Sequence, residues 1–169
     1  INGIGYLTKL NEKTSYYKIK NLEAINTPAS EYSPVHLDNE LYFTSSRGDG
    51  KIYEAEWKPF TDIYKVTTQG ARVDAATIAK LPAGINDDVR NEGCITFSPD
   101  GKTMVFAKGN IEKKKGTDYD VDLYISRNRN NVWSEPIPIN INTVVKGPDD
   151  PAKNFSWDSS PAFSPDGRT

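Results

Sequence analysis

Residues 92–106 read EGCITFSPDGKTMVF, and this stretch decides the fold. Its centre consists of Ser98, Pro99, Asp100 and Gly101. These are turn residues, because proline presets φ, aspartate bonds to nearby backbone, and glycine adopts left-handed conformations at no steric cost. Apolar residues lie on both sides, CITF before the turn and MVF after it. The stretch therefore predicts a β-hairpin.

The same phrase occurs three times along the chain. Residues 31–43 read EYSPVHLDNELYF, with a shorter turn, and residues 158–169 consist of Asp158 followed by SSPAFSPDGRT. The turn of the last copy consists of Ser164, Pro165, Asp166 and Gly167. Its return strand is missing, so we expect the chain to be an excerpt of a longer protein.

Two further strand-like pieces follow each complete copy. They are residues 51–55 and 62–66 in the first unit, and residues 122–126 and 132–133 in the second. Each unit thus contains about four short antiparallel strands, and Ala75 to Leu81 is predicted as a loop or short helix between units. Repeated four-stranded sheets are typical of a β-propeller.

The domain organisation follows from these units. We predict an all-β propeller fragment with about two complete blades and pieces of others. Residues 1–29 form a hairpin of a preceding blade or a cap, and residues 30–83 and 84–146 form one blade each. Residues 147–169 form a linker and the start of a further blade.

Composition excludes some classes of function. The chain has 169 residues, with 21 Lys and Arg against 23 Asp and Glu, so it lacks the basic field of a nucleic-acid-binding protein. No apolar run approaches the roughly 20 residues that span a bilayer. The single cysteine, Cys94, is predicted as a small buried core thiol, and it leaves the cellular compartment open.

Alternating acids suggest a weak metal candidate. Asp118, Asp120 and Asp122 would share one face of a strand and could offer oxygen ligands to calcium. The glycine and glutamate that an EF-hand loop needs at its sixth and twelfth positions are absent. The alternative is a solvated strand edge, and no cofactor motif is present.

Loop acids and the histidine suggest two further candidates. Asp87, Asp88 and Glu92 precede the second unit, and paired carboxylates can hydrolyse glycosides. Solvation of an acidic loop explains them equally well. His36 is the only histidine, and no G-x-S-x-G elbow accompanies it, so a structural role is predicted. No catalytic residue is assigned.

Aromatic and loop residues suggest contacts with a partner. Trp57, Trp133 and Trp157 are predicted near equivalent blade edges, where they either pack between blades or bind a partner. Arg47 lies in a polar loop, residues 45–49, of the kind that carries binding residues.

Two segments carry a family resemblance. Residues 97–109 (FSPDGKTMVFAKG) and 120–140 (DVDLYISRNRNNVWSEPIPIN) resemble the TolB-like propeller repeat. In that repeat the third strand begins with aspartate, an apolar residue and tyrosine, here Asp122, Leu123 and Tyr124. The first unit has Lys51, Ile52 and Tyr53 in that place and departs from the pattern.

Most of the chain resembles a smaller group of propeller proteins. Residues 26–47 (NTPASEYSPVHLDNELYFTSSR) and 157–169, the last copy of the phrase with the tryptophan before it, look like the periplasmic propellers of Bacteroidota. Those propellers often lie between a tetratricopeptide region and an OmpA-like peptidoglycan-binding domain, as in the PorE-like proteins of the type IX secretion system.

This resemblance implies a non-catalytic scaffold in the periplasm, associated with the outer membrane. The implied partners are other envelope or secretion-system proteins. Peptidoglycan would be contacted only through a domain that is not in this sequence. The alternative is a glycan-binding or glycan-processing propeller domain.

Overall fold

The structure, a computed structural model, describes residues 19–54, 56–109, 121–142 and 157–168. All regular structure in these ranges is β, which confirms the predicted all-β class. The strands are β1 (Glu31–Leu37), β2 (Glu40–Ser45), β3 (Ile52–Tyr53), β4 (Lys58–Pro59), β5 (Asp62–Gln69), β6 (Arg72–Lys80), β7 (Asn91–Phe97), β8 (Thr103–Gly109), β9 (Val121–Arg129), β10 (Val132–Trp133) and β11 (Ile137–Pro138). In the described part of the chain, no helix is long and apolar enough to cross a membrane.

Two antiparallel sheets are built in the same way. The first has the strand order β1-β2-β5-β6, and the second has the order β7-β8-β9-β10, with β11 also pairing with β9. Neighbouring strands in space are therefore successive strands along each unit. The exception is the pair β3 and β4, which forms a separate hairpin inserted between β2 and β5.

The inserted hairpin corrects the predicted strand assignment in the first unit. The sequence pattern makes residues 62–66 the fourth strand, but they lie in β5, which is the third. The fourth strand is β6, so the prediction of a loop or short helix from Ala75 to Leu81 is wrong. Its β-branched residues suit a strand, and pairing with β5 supplies backbone partners that a single helical turn lacks.

The register shows which residues are equivalent in the two sheets. Phe43 lies opposite Tyr64 in the first sheet, as Phe106 lies opposite Tyr124 in the second. Asp62, Ile63 and Tyr64 therefore match the Asp-Leu-Tyr run at the start of β9. The prediction that residues 51–53 take this place is wrong, because they lead into the inserted hairpin.

The main core lies between the sheets. Its members come from both sheets and from the link between them: Tyr42, Ile63, Leu81, Ile85, Ile95, Phe97, Met104 and Phe106. Alternation along the strands sends neighbouring residues such as Phe43 to the opposite face, where a second cluster forms. Both faces of the first sheet thus carry apolar side chains, and each fully buried one contributes about 1.5–3 kcal/mol.

The third copy of the phrase packs on the outer face of the second sheet. Phe163 lies against the cluster that contains Val105 and Leu123. The backbone N–H of Asp158 donates to the carbonyl of Val121 at 2.8 Å, just as that of Glu92 donates to Thr61 at 2.9 Å. The third copy therefore meets the second sheet as β7 meets the first.

The turns of successive copies stack on one another. Gly101 and Gly167 both have a φ of 66°, in the left-handed region. A Cβ at Gly101 would come within 3.0 Å of Leu37 in the preceding turn, and one at Gly167 within 3.0 Å of Pro99. These two positions need glycine for conformation and for space.

Each copy also carries a left-handed residue near its start. Ser33, Cys94 and Ser160 have φ values of 50°, 52° and 55°. In β1 and β7 this residue sits in a bulge where the register shifts. The hydroxyls of Ser33 and Ser160 lie 3.6 and 3.9 Å from the Cys94 sulfur. Cys94 is thus a bulge residue that packs against an apolar cluster, as predicted for a core thiol, but it is only partly buried.

Candidate functional site

The acidic loop before the second sheet folds into the junction between the sheets. The side chain of Glu92 is completely covered, that of Asp87 is 35% exposed, and that of Asp88 is 87% exposed. These carboxyl groups therefore do not share one open pocket. A glycoside cannot reach the Glu92 carboxyl group in this arrangement.

Glu92 instead ties the link between the sheets to the second sheet. Its Oε2 accepts the N–H of Asp87 at 3.2 Å, and its Oε1 lies 3.5 Å from the ammonium of Lys108. That ammonium also donates to the carbonyl oxygens of Gly84 at 3.2 Å and Ile85 at 3.3 Å. One acid and one base thus hold the link, residues 81–90, against β7 and β8.

The burial of Glu92 changes its acidity. Loss of solvent raises its pKa to about 8, although the charge of Lys108 and the hydrogen bond from Asp87 act in the opposite direction. The carboxyl group therefore binds a proton more readily than an ordinary glutamate does. A perturbed acid is often a sign of catalysis, but a covered one beside a single lysine has a structural explanation.

Asp62 provides a second acid at the same junction. Its Oδ1 lies 2.9 Å from the ammonium of Lys80 on β6. Burial raises the pKa of Asp62, against the hydrogen bond and charge of Lys80, and the nearby charge of Asp88 adds to the rise. The pair joins the third and fourth strands of the first sheet.

Arg47 points into the protein. Its Nη2 donates to the carbonyl of Ile25 at 2.6 Å and lies 3.2 Å from a carboxylate oxygen of Glu31. Its guanidinium also lies 4.8 Å from the centre of the Phe43 ring. These contacts occupy Arg47 within the fold, so the structure does not support its predicted contact with a partner.

The three tryptophans lie in three different settings, so the prediction of equivalent edges is wrong. Trp133, in β10, packs against Phe97 with 5.9 Å between ring centres and is partly buried. Trp57 is 81% exposed in the β3–β4 hairpin, and Trp157 is 65% exposed beside β9. Only Trp57 and Trp157 are available to a partner.

The hairpin holds Trp57 away from the sheets. The N–H of Trp57 donates to the carbonyl of Tyr53 at 2.9 Å, and its φ of 54° is left-handed. The Tyr53 ring packs on Phe60, 5.3 Å away, and Phe60 is buried. The hairpin is thus anchored at its base and presents a large aromatic side chain to solvent.

The remaining candidates have local roles or fall outside the described residues. His36 bonds through Nε2 to the Thr68 hydroxyl at 2.8 Å, which joins β1 to β5 across the sheet. Asp118 and Asp120 lie outside the described residues, and Asp122 is the second residue of β9. Among the described residues, no group of three or more His, Cys, Asp or Glu side chains is placed to hold a metal ion.

Two asparagines have roles that the sequence analysis missed. Asn86 accepts the N–H of Ile63 at 2.8 Å and donates to its carbonyl at 3.0 Å. Asn142 makes the same two bonds to Leu123, each at 2.9 Å. A partial signal was present, because Ile-Asn pairs occur at residues 25–26, 85–86 and 141–142, although the same pair also occurs at residues 1–2 and 139–140.

Comparison of the chain with protein-family models, curated proteins and solved structures finds no match. Interpretation of the site therefore rests on its residues and their geometry.

Proposed function

We propose that the two sheets are successive blades of a β-propeller that serves as a non-catalytic binding module. Three features support this fold: the shared strand order, the repeated asparagine bonds and the stacked turns. The apolar outer face of the first sheet, with Phe43 and Tyr64, suits packing against another blade.

The exposed Trp57 is the observation that carries the binding function. Tryptophan is enriched among residues that dominate protein–protein affinity. Trp57 is 81% exposed on a hairpin that the second sheet does not match in its described residues. A large aromatic side chain that is exposed on an anchored projection suits contact with a protein partner.

The cellular setting is proposed from the family resemblance alone. The module would act in the periplasm, associated with the outer membrane, as a scaffold for envelope or type IX secretion-system proteins. Peptidoglycan would be bound only through a domain that is not in this sequence.

A quantitative pull-down tests this function. The full-length protein is the bait in detergent-solubilised envelopes of cells that express it, and recovered proteins are measured by mass spectrometry. Trp57→Ala should lower recovery of an envelope partner about tenfold, the loss of one contact worth about 1.4 kcal/mol. Val132→Ala, a change at a residue 67% exposed on β10, is the matched control and should not lower it.

Two outcomes would contradict different parts of the proposal. Recovery of the same envelope proteins with both variants would overturn the role of the hairpin. Recovery of no envelope protein by the unmodified bait would overturn the scaffold function itself.

A further inference from the structure

A groove runs along the amino-terminal ends of β1 and β7. It consists of two adjoining cavities of about 400 and 200 Å³. Both are lined by Tyr32, Thr61, Asn91 and Trp157. The inserted hairpin forms one wall through Tyr53, and the third copy of the repeated phrase contributes the opposite wall. The larger cavity has the size of a small-molecule site.

Aromatic rings give the groove apolar surfaces that are already in place. Trp157 is 65% exposed and Tyr32 is 40% exposed. Tyr53 is held by its contact with the buried Phe60. The Tyr53 ring, fixed in this way, offers contact area at little cost in conformational entropy, and the faces of all three rings attract the polarised C–H groups of a ligand.

Asn91 supplies an oriented polar group. Its Oδ1 accepts the N–H of Thr61 at 2.9 Å and the hydroxyl of Thr61 at 3.2 Å. These bonds fix the orientation of the amide. Its Nδ2 donates to no described residue, so two N–H donors remain available in a groove that also contains serine hydroxyls.

The backbone along the groove is already hydrogen-bonded. The N–H groups of Ser30 and Thr61 donate to side chains, and those of Ser46, Glu92 and Asp158 donate to carbonyl oxygens. An extended peptide that adds to a sheet needs a row of free backbone groups. A ligand in this groove would therefore be bound by side chains.

Charge in the groove is nearly balanced. Glu56 and Lys58 are the charged residues of the larger cavity, and they have opposite signs. Glu92 borders the smaller cavity, but its side chain is covered. The lining thus suits an uncharged ligand with many hydroxyl groups and apolar C–H faces.

We propose that this groove binds a neutral oligosaccharide, with a sugar ring against Trp157 and hydroxyl groups on the Asn91 amide and the neighbouring serines. This site is separate from the protein contact at Trp57, which does not line the groove.

Calorimetric titration of the full-length protein tests the site. The probes are neutral trisaccharides of β-1,4-linked N-acetylglucosamine, β-1,4-linked glucose and α-1,4-linked glucose. At least one should bind, and Trp157→Ala should weaken it about tenfold or more. Asn91→Asp keeps the acceptor for Thr61 but removes the amide donors, so it should weaken binding several-fold.

Val132→Ala is the matched control, since it truncates a side chain that is 67% exposed on β10, outside the groove, and should leave sugar affinity unchanged. Thermal unfolding checks that each variant is folded. The proposal is overturned if none of the three sugars binds with a Kd of about 10 mM or lower. It is also overturned if Trp157→Ala binds the sugar as well as the unmodified protein does.

Discussion

Glu31 and Glu92 occupy the same position in the two sheets but have opposite surroundings. Each lies at or near the start of a first strand and accepts an N–H from the preceding link, Glu31 from Thr27 at 3.1 Å and Glu92 from Asp87 at 3.2 Å. Glu31 also accepts hydroxyl groups from Thr27 at 2.7 Å and Ser45 at 2.9 Å. Glu92 has only the ammonium of Lys108, 3.5 Å away.

This difference in partners shifts the pKa values of the two carboxyl groups in opposite directions. Burial opposes ionisation of Glu31, but the hydrogen bonds from Thr27 and Ser45 and the charge of Arg47 outweigh it and lower the pKa. Burial of Glu92 prevails and raises the pKa to about 8. The fold therefore fixes the backbone bond at this position, while neighbouring side chains decide whether the acid is charged.

The largest effect should come from the pH dependence of Glu92→Gln. The folded pKa of Glu92 lies above the unfolded value, so its stabilising effect is complete below about pH 4.5 and is lost as pH rises towards 8. Relative to Glu92→Gln, the unmodified protein should lose about 1.4 kcal/mol of unfolding free energy per pH unit in that window. Urea unfolding at several pH values measures this.

Glu31→Gln is the matched control, because the stability that Glu31 contributes should change with pH in the opposite direction. The lowered pKa of Glu31 stabilises the fold above the unfolded value, and that stability disappears as pH falls through the folded pKa. The two variants should therefore diverge from the unmodified protein on opposite sides of about pH 4.5. Parallel pH profiles would contradict the comparison.

Arg47→Ala should have the next largest effect. It removes the bonds to Ile25 and Glu31 and the contact with the Phe43 ring. Breaking a buried ion pair costs about 3–5 kcal/mol. Because both side chains are 13% exposed, we expect a loss near the lower end of that range. Thermal and urea unfolding measure the loss.

Arg47→Lys separates geometry from charge. A lysine keeps the positive charge but cannot reproduce the fork of the guanidinium, so it should restore less than half of the lost stability. Full restoration would mean that charge alone matters at this position. In that case the difference between Glu31 and Glu92 would come from the strength of the nearby positive charge and not from the geometry of the partner.

The sequence predicted the repeats but not what distinguishes them. The SPDG phrase with flanking apolar runs was enough for the hairpins, because turn chemistry is local. The third strand of the first unit was taken for the fourth, because the inserted hairpin contains a similar apolar-Tyr pair at Ile52 and Tyr53. Local patterns do not reveal which of two such pairs joins the main sheet.

The state of Glu92 was also beyond the sequence. As a residue of an acidic loop it was expected to be solvated, and only the packing of two sheets covers it. The same holds for Arg47, whose partners lie in segments distant along the chain. The asparagine positions were only partly accessible, since an Ile-Asn pair precedes each unit but also occurs at residues 1–2 and 139–140.

The two asparagines should differ in the cost of their removal. Asn86 is buried and makes three bonds, including one to the carbonyl of Leu81 at 2.9 Å. Asn142 is partly buried and makes two. Loss of buried partners costs about 1–3 kcal/mol. The loss of unfolding free energy should lie at the upper end of this range for Asn86→Ala and at the lower end for Asn142→Ala. Urea unfolding measures both losses. Equal losses would contradict the role of burial.

The smallest effect should come from Ser98→Ala, at a position where the sheets again differ. The equivalent residue in the first sheet is Leu37, which packs against the next turn, whereas the Ser98 hydroxyl stays within its own turn. It accepts the N–H of Thr103 at 2.9 Å and donates to Asp100 at 2.6 Å. Loss of these bonds should lower the unfolding free energy by about 1 kcal/mol.

The same variant gives a more specific signal at Asp100. The hydrogen bond from Ser98 is the main cause that lowers the pKa of this carboxyl group, followed by the N–H of Lys102. In Ser98→Ala the pKa of Asp100 should therefore rise towards its ordinary value, which NMR titration of the carboxyl group can follow. The pKa of Asp166, which Ser164 lowers in the same way, is the internal control and should stay unchanged. A rise at both positions would mean that the stacked turns respond as a unit instead of as separate local structures.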